Sequence, residues 1–242
     1  MRIAVAGGTG LVGRLVVGAA RARGHEPIVL ARSAGVDLIT GAGLDRAVAT
    51  ADAVIDVANV TTTSRARSIG FFATSTNNLL AAAARAGVGH HVVLSIVGVD
   101  RVGLGYYAGK RRQEELVLAG PVPATVQRAT QFHEFAAQLL GHAVGPFVPV
   151  PRMLSRPVAA REVAELLVTV AAGPPLGLAP ELAGPEDKQM VAMVRQVVRA
   201  RGLRRVVVPI RVPGSAGRQM RNGGLLPAGP GPRGTETFDE WL

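Results

Sequence analysis

Tyr106 and Lys110 stand four residues apart in the segment "GLGYYAGKRRQEE", and their side chains together suit proton transfer to an oxygen atom. If the segment is helical, this spacing places both side chains on one face. Tyrosine has a pKa of about 10, and a nearby cation lowers that pKa by stabilising the phenolate. Ser95, in the apolar segment "HHVVLSIVG", is the candidate for a hydrogen bond to the same oxygen. We therefore predict that Ser95, Tyr106 and Lys110 catalyse reduction of a carbonyl group.

The tyrosine–lysine pair alone is a weak signal, because many helices contain these residues at this spacing. In the alternative interpretation, Tyr106 is an aromatic residue at a helix start and Lys110 opens the solvated run "KRRQEE". The presence of a cofactor site elsewhere in the chain decides between the two interpretations.

The glycine-rich segment "GGTGLVG", residues 7–13, is the candidate for that cofactor site. It follows the strand-like "RIAVAG" and opens a helical stretch, which is the context in which G-x-G-x-x-G indicates dinucleotide binding. Glycines let backbone amides approach a pyrophosphate, and the N-terminus of the helix adds partial positive charge. The alternative is a strand-to-helix turn that binds nothing.

The end of the second predicted strand, "VLARSAG", indicates which dinucleotide is bound. An acidic residue there binds the ribose hydroxyls of NAD, whereas arginine suits the 2′-phosphate of NADP. Arg32 and Ser33 occupy this place, so NADP(H) is favoured over NAD(H). Asp37 is the nearest acid and is a candidate for contact with the adenine edge. The alternative is that Arg32 is an ordinary surface arginine.

Short apolar runs alternate with helical stretches as far as about residue 130. Strands separated by helices of this length form right-handed crossovers, and hence a parallel sheet with helices on both faces. The predicted strands lie in "RIAVAG", "PIVLAR", "ADAVIDVAN", "HHVVLSIVG" and "PATVQRAT", and the predicted helices are Leu11 to Arg23, "STNNLLAAAARAG" and "YYAGKRRQEELVLAG".

The pattern changes in the remainder of the chain, so we predict a core over residues 1–150 and a small C-terminal α/β lobe over residues 151–242. The lobe would contain the helices "AAREVAELLVTVAAG" and "MVAMVRQVVRARG" and the strand "RRVVVPI". Residues 213–234 are rich in Gly, Pro and Arg and are expected to be irregular. The tail is expected to dock through Phe238 and Trp241.

The composition narrows the class of protein. The chain has 242 residues, no cysteine and a formal charge of +10. It therefore lacks disulfides and thiolate metal sites, which suits a cytoplasmic location. No apolar run reaches the roughly 20 residues that span a bilayer. His90 and His91 are expected at the surface, and no cluster has metal-ligand spacing, so no metal site is predicted. All but two of the 27 cationic side chains are arginines, yet no nucleic-acid-binding motif accompanies them.

These motifs resemble the short-chain dehydrogenase/reductase superfamily, in its atypical or extended branch close to the NmrA-like NAD(P)H-binding proteins. The resemblance rests on "GGTGLVG", the Ser95 strand, Tyr106 with Lys110, and "VQRATQFHEF", and it covers nearly the whole chain. It implies a Rossmann fold, that is, an α/β doubly wound parallel sheet. Only 11 positions separate Ser95 from Tyr106, which is shorter than in many active members.

The resemblance also implies roles for individual residues. Lys110 would hold the nicotinamide ribose, and Thr130 would contact the cofactor. The pyrophosphate loop would be Gly7, Thr9, Gly10, Leu11 and Val12, and Ala58 and Asn59 would pass the cofactor after the strand "ADAVIDVAN". The residues between the cofactor and the substrate pocket would be Gln131, Phe132 and His133.

We expect an NADP-dependent oxidoreductase that acts on a small, apolar carbonyl or quinone-like substrate. The alternative is a non-catalytic NAD(P)-binding redox sensor that acts through a protein partner. The protein is expected to be a monomer or homodimer with no membrane partner and no specific nucleic-acid binding. Sugar-nucleotide epimerisation is possible on this framework, although no site for a second diphosphate is visible in the sequence.

Overall fold

Ten β-strands and nine α-helices are present in the computed structural model, which describes all residues, 1–242. The strands are β1 (Arg2–Ala6), β2 (Glu26–Leu30), β3 (Ala53–Asp56), β4 (His90–Ile96), β5 (Ala124–Ala129), β6 (Phe147–Pro151), β7 (Leu154–Ser155), β8 (Gly177–Leu178), β9 (Lys188–Gln189) and β10 (Val206–Ile210). The helices are α1 (Leu11–Ala22), α2 (Leu44–Val48), α3 (Arg65–Arg85), α4 (Gly105–Leu118), α5 (His133–Gln138), α6 (Ala160–Ala171), α7 (Met190–Ala200), α8 (Gly214–Arg221) and α9 (Phe238–Trp241).

Six of the strands form one sheet, in the order β2-β1-β3-β4-β5-β8. β1 is parallel to both of its neighbours, with Ala4 opposite Ile28 on one side and Val54 on the other. The residues of β3 are buried throughout, as expected for a strand covered by helices on both faces. The predicted Rossmann-type α/β fold is confirmed.

Helices α3 and α4 pack closely because a glycine lies at their contact. A Cβ added to Gly109 would lie 2.2 Å from Ser68 Oγ, so no other residue fits there without movement of α3. The Ser68 hydroxyl donates a hydrogen bond to the Tyr106 carbonyl oxygen at 2.8 Å. This contact fixes the first turn of α4, which carries Tyr106.

The chain divides into two units at more than one boundary, whereas the sequence predicted a single boundary at residue 150. The first unit comprises residues 1–95, 104–128 and 161–179. The second comprises residues 96–103, 129–160 and 180–242. The helix "AAREVAELLVTVAAG" therefore belongs almost entirely to the first unit, because the chain returns there to add β8 beside β5. No helix combines the length and apolarity that crossing a bilayer requires.

The second unit contains a parallel pair of strands, β6 and β10, and an antiparallel pair, β7 and β9. The segment predicted to be irregular contains α8, so that prediction is wrong for Gly214–Arg221. The tail docks as predicted: Phe238 is fully buried, and its ring stacks on Trp241 with centroids 5.4 Å apart. A capping box between Thr237 and Glu240 starts this last helix.

His90 and His91 are buried, so the prediction that they lie at the surface is wrong. β4 is central in the sheet, and both of its faces are covered. His90 Nε2 lies 2.8 Å from Thr125 Oγ1. His91 has no hydrogen-bond partner on either ring nitrogen, and burial lowers its pKa from 6.5 to about 4.

The burial of His91 predicts a loss of stability in mild acid. The unfolded chain takes up a proton at this residue as the pH falls below 6.5, whereas the folded chain does so only near pH 4. The contribution is therefore complete above pH 6.5 and is lost between 6.5 and 4, amounting to roughly 3 kcal/mol.

Urea denaturation at pH 7 and pH 5 measures this loss of stability. His91→Leu should lose about 2 kcal/mol less than wild type between these values. His142→Leu, at an exposed position, should behave as wild type, and parallel losses in all three proteins would contradict the assignment.

Candidate functional site

The glycine-rich loop between β1 and α1 adopts a geometry that requires glycine at two positions. Gly7 has φ +77°, and a Cβ there would lie 2.8 Å from the Ala58 Cα. At Gly13 a Cβ would lie 2.1 Å from the Gly7 carbonyl oxygen. The loop therefore passes directly against the segment that follows β3, and α1 begins close to the sheet.

The N-terminus of α1 offers backbone donors that the protein does not use. Gly10 caps the helix without a side-chain hydrogen bond, and the first bond within the helix runs from the Arg14 amide to the Gly10 carbonyl. The amides of Leu11 and Val12 therefore have no acceptor in the chain. Thr9 and Gly10 are exposed beside them. The predicted pyrophosphate residues thus form an accessible set of donors suited to an anion.

Two glycines of α1 provide a test of this loop. Gly13→Ala should weaken NADPH binding at least tenfold, because the added methyl group displaces the Gly7 carbonyl and opens the loop. Gly18→Ala is the matched control, since a Cβ there meets nothing within 4 Å and should stabilise the helix by up to about 1 kcal/mol. Fluorescence titration with NADPH measures the affinity. Equal affinities in the two variants would show that the loop is only a turn.

The segment after β2 exposes Arg32 and Ser33 to solvent. The Arg32 side chain forms no hydrogen bond or ion pair with the rest of the chain. Asp37 has a local role, because its Oδ1 accepts hydrogen bonds from the amides of Ile39, at 2.7 Å, and Thr40, at 3.3 Å. The unengaged cation at this place is Arg32.

The segment after β3 carries the two residues expected to pass the cofactor. Asp56 Oδ1 accepts a hydrogen bond from the Ala58 amide at 2.9 Å, which shapes the turn that leaves the strand. Asn59 Oδ1 accepts hydrogen bonds from the Val60 amide at 2.8 Å and from the Tyr106 hydroxyl at 2.6 Å. The structure therefore brings Ala58, Asn59 and Tyr106 to one place beside the glycine-rich loop.

Tyr106 and Lys110 lie on the same face of α4, against one aromatic ring. The ring centroids of Phe72 and Tyr106 are 5.8 Å apart, and Lys110 Nζ lies 4.8 Å from the Phe72 centroid. Burial raises the pKa of Tyr106, whereas the sequence predicted that a cation would lower it. The phenol therefore holds its proton throughout the neutral range.

Lys110 is buried, and its ammonium group is held from two sides. Nζ donates to the Leu94 carbonyl at 2.6 Å and to Gln113 Oε1 at 2.5 Å. An ammonium has three N–H donors, so one remains for a ligand. Burial lowers the pKa of Lys110 to about 8, and the negative charges of Asp56 and Glu114 oppose this shift. The group is mainly charged at neutral pH.

Gln113 and Asp56 complete a buried chain of hydrogen bonds that sequence reasoning missed. Gln113 Nε2 donates to Asp56 Oδ2 at 2.8 Å, while its Oε1 accepts from Lys110. Burial raises the pKa of Asp56, and the Lys110 charge partly offsets this effect. The spacing of Gln113, three residues after Lys110 on a helix, was the available signal. Nothing local in the sequence linked either residue to Asp56, which lies 57 positions before Gln113.

Ser95 lies on β4, next to the residue whose carbonyl binds Lys110. Its side chain is buried, and its hydroxyl has no hydrogen-bond partner in the protein. An unsatisfied buried hydroxyl is costly unless a ligand supplies the partner. This is the property expected of a residue that binds a substrate oxygen.

The remaining predicted residues belong to the second unit and have partners there. The Thr130 hydroxyl donates to the Arg156 carbonyl at 2.5 Å, and Gln131 Oε1 accepts from the Ser155 hydroxyl at 3.1 Å. Phe132 is half-buried, and the backbone around it pairs with Val158. His133 is fully buried against the C-terminal helix and has its own contacts. These are a hydrogen bond from Nε2 to the Glu236 carbonyl at 3.0 Å and ring contacts with Phe238 and Trp241.

The residues of the first unit fit a nicotinamide dinucleotide. The cradle around Gly7 and Gly13 has no room for a Cβ, the amides that open α1 lack acceptors, and Ser95 has an unsatisfied hydroxyl. The amides and the hydroxyl can donate hydrogen bonds to a phosphorylated ligand, and the tight glycine loop lets the backbone approach that ligand closely.

Comparison with solved structures supports this fold assignment. The UDP-glucose 4-epimerase of Thermus thermophilus, solved with NAD, has a TM-score of 0.71 at 20% identity, covering 100% of this chain and 99% of that one. A short-chain dehydrogenase/reductase superfamily protein from Agrobacterium tumefaciens, with bound NAD, has a TM-score of 0.70 at 20% identity, covering 99% and 94%. The dTDP-4-dehydrorhamnose reductase of Bacillus anthracis, in complex with NADP, has a TM-score of 0.69 at 13% identity, covering 86% and 84%.

The sequence comparisons identify the family. No curated protein matches the chain. The model of the NAD dependent epimerase/dehydratase family matches residues 3–123, which include the glycine-rich loop, Ser95, Tyr106 and Lys110. The chain therefore belongs to the NAD dependent epimerase/dehydratase family and is an NAD(P)-dependent enzyme.

Proposed function

We propose that this enzyme is an NADP-dependent oxidoreductase that reduces a small, apolar carbonyl or quinone-like substrate, with Tyr106 as the proton donor. The observation that carries the proposal is that Tyr106 and Lys110 lie together against the ring of Phe72. Lys110 also donates a hydrogen bond to the Leu94 carbonyl, which joins this helix to the strand that carries Ser95. Within its superfamily, we place the chain near the NmrA-like branch on the resemblance of its motifs.

The chemistry of the reaction divides between the cofactor and the protein. When bound, NADPH would supply the hydride that adds to carbon. The protein must supply a proton to oxygen, and the Tyr106 phenol is the candidate donor because it is protonated at neutral pH. Burial raises its pKa and so makes it a weaker acid, which the positive charges of Lys110 and of the oxidised nicotinamide would oppose. An alkoxide is a far stronger base than a phenolate, so proton transfer from a neutral phenol is downhill.

Ser95 and Lys110 would support this proton transfer in different ways. The Ser95 hydroxyl would donate a hydrogen bond to the substrate oxygen and so hold it near Tyr106. The remaining N–H of Lys110 would hold the ribose hydroxyls, and its charge would stabilise the phenolate that forms. Gln113 and Asp56 keep the ammonium in place from behind.

The proposed preference for NADP rests on the residues after β2. An exposed arginine without a partner offers a charged, two-pronged donor to a phosphate. Asp37, the nearest acid, accepts hydrogen bonds from two amides of its own loop. We therefore do not assign it the role of the carboxylate that binds the ribose hydroxyls of NAD.

Arg32→Ala tests the cofactor preference. Wild type should bind NADPH at least tenfold more tightly than NADH, and the variant should lose that difference while its NADH affinity is unchanged, since a charge-assisted hydrogen bond contributes about 1.5–3 kcal/mol. Arg21→Ala, at another exposed arginine of the first unit, is the control for the loss of charge. Fluorescence titration measures the affinity of each of the three proteins for both nucleotides. Equal affinity of wild type for both nucleotides would refute the NADP assignment and leave the family assignment intact.

A further inference from the structure

The sheet of β6 and β10 in the second unit presents one wholly apolar face. The strands are parallel and in register, with Phe147 opposite Val206. Alternate residues of a strand point to the same face, so three residues of each strand share it. We name this set the apolar ribbon; it consists of Phe147, Pro149, Pro151, Val206, Val208 and Ile210.

The apolar ribbon faces solvent. Phe147 and Val206 are 52% and 53% exposed, and Val208 and Ile210 are 38% and 41% exposed. The opposite face of the same sheet is in the core, since Val148 and Val150 are fully buried. A sheet covered on one side normally turns polar residues to water, so a contiguous apolar face marks an interaction surface.

Arginines flank both ends of the apolar ribbon. Arg152 follows β6, Arg204 and Arg205 precede β10, and Arg211 follows it, all with exposed side chains. The chain contains no acidic residue from position 190 to position 234. The surface that meets the ribbon must therefore combine an apolar interior with negative charge.

The strand edges are closed to an added strand. The Arg152 amide donates to Ile210 and the Val206 amide donates to Pro146, so the even-numbered amides of both strands point inward. The outward positions include Pro149, Pro151 and Pro209, which have no N–H. Docking must use the face of the ribbon and not its edge. A second copy of the chain, face to face about a two-fold axis, would bring the arginine clusters together, which repulsion opposes.

We propose that the apolar ribbon and its flanking arginines dock on the surface of a membrane that contains anionic lipids. Phe147, Val206 and Ile210 would enter the region between headgroups and acyl chains, and the guanidinium groups would pair with lipid phosphates. The ribbon has no hydrogen-bonding side chain, which suits an acyl boundary better than a polar protein or nucleic-acid surface. Such peripheral contact needs no spanning helix, and it departs from the expectation of no membrane partner.

Sedimentation of the full chain with lipid vesicles tests this proposal. Vesicles with roughly one-third phosphatidylglycerol in phosphatidylcholine should bind the protein at low salt, and pure phosphatidylcholine should not. Val208→Asn should weaken binding at least tenfold. Leu178→Asn makes a similar apolar-to-polar change at a 52% exposed residue of the first unit and should not weaken binding.

A second pair of variants separates local from overall charge. Arg204→Gln with Arg211→Gln should weaken vesicle binding at least tenfold, whereas Arg21→Gln with Arg46→Gln removes the same charge from the first unit and should have little effect. Equal loss in the two double variants, or undiminished binding by Val208→Asn, would overturn the proposal. The proposal would also be overturned if the protein did not bind anionic vesicles but bound an acidic amphipathic peptide in a way that depended on Val208. That result would assign the face to an acidic protein.

Discussion

Replacing Tyr106 by Phe should lower turnover about a thousandfold and leave NADPH affinity within about twofold of wild type. The substitution removes the phenol proton and the hydrogen bond to Asn59. It keeps the ring that packs against Phe72 and Tyr107, so α4 should hold its position. Turnover is measured by the loss of the reduced nicotinamide band with a panel of small carbonyls and quinones, and affinity by fluorescence titration.

Tyr107 is the matched control for this experiment. It is adjacent to Tyr106 but buried, and Tyr107→Phe should retain turnover. If Tyr106→Phe also retains turnover, another group supplies the proton and the proposed mechanism is wrong. A wild-type protein that binds NADPH tightly but reduces none of the acceptors would contradict the proposed carbonyl or quinone-like substrate and leave the family assignment intact.

Five of the six strands of the central sheet could be predicted from the sequence, and the inner ones are covered on both faces; the two-residue strand β8 was missed. Buried parallel strands appear as short continuous apolar runs, and "RIAVAG" and "HHVVLSIVG" have no other plausible place. The glycine-rich loop was equally predictable, because a Cβ at Gly7 or at Gly13 would lie only 2.8 Å or 2.1 Å from a backbone atom, so the turn requires glycine at both positions.

Other elements lacked a local signal. The helix α3 begins at Arg65, whereas the sequence predicted a helix only from residue 75. The first turns were missed because they contain Gly70 and two adjacent phenylalanines, which obscure the helical period. Its start is marked by Ser64, whose hydroxyl accepts a hydrogen bond from the Arg67 amide. The helix α8 was missed because a glycine-rich composition favours irregular structure.

The site was predictable as far as its motifs extend and no further. Tyr106 and Lys110 share a face of one helix, so their spacing was informative. The contacts that place Lys110 come from distant parts of the chain, namely the Leu94 carbonyl and the Gln113–Asp56 pair. The same burial that encloses Lys110 raises the pKa of Tyr106, whereas the spacing predicted that this pKa would be lowered. Burial is a property of packing and could not be read from the spacing.

The last expected result concerns the buried ion pair that joins α4 to β5. Arg128 Nε and Nη2 donate to the two carboxylate oxygens of Glu114 at 2.9 and 2.7 Å, and the side chains are only 10% and 7% exposed. Glu114→Gln removes the negative charge that compensates the buried guanidinium. Unfolding should require about 3–5 kcal/mol less free energy, measured by urea denaturation at pH 7.

Glu115 provides a matched control on the same helix, because its pairing with Arg112 is exposed. Glu115→Gln should change stability by less than about 1 kcal/mol. The double variant Glu114→Leu with Arg128→Met should recover most of the loss, since a packed apolar pair needs no charge compensation. Equal effects of Glu114→Gln and Glu115→Gln would mean that water reaches the pair. In that case the ion pair would not anchor α4, and another contact, such as that between Gly109 and Ser68, would fix the helix that presents Tyr106 and Lys110.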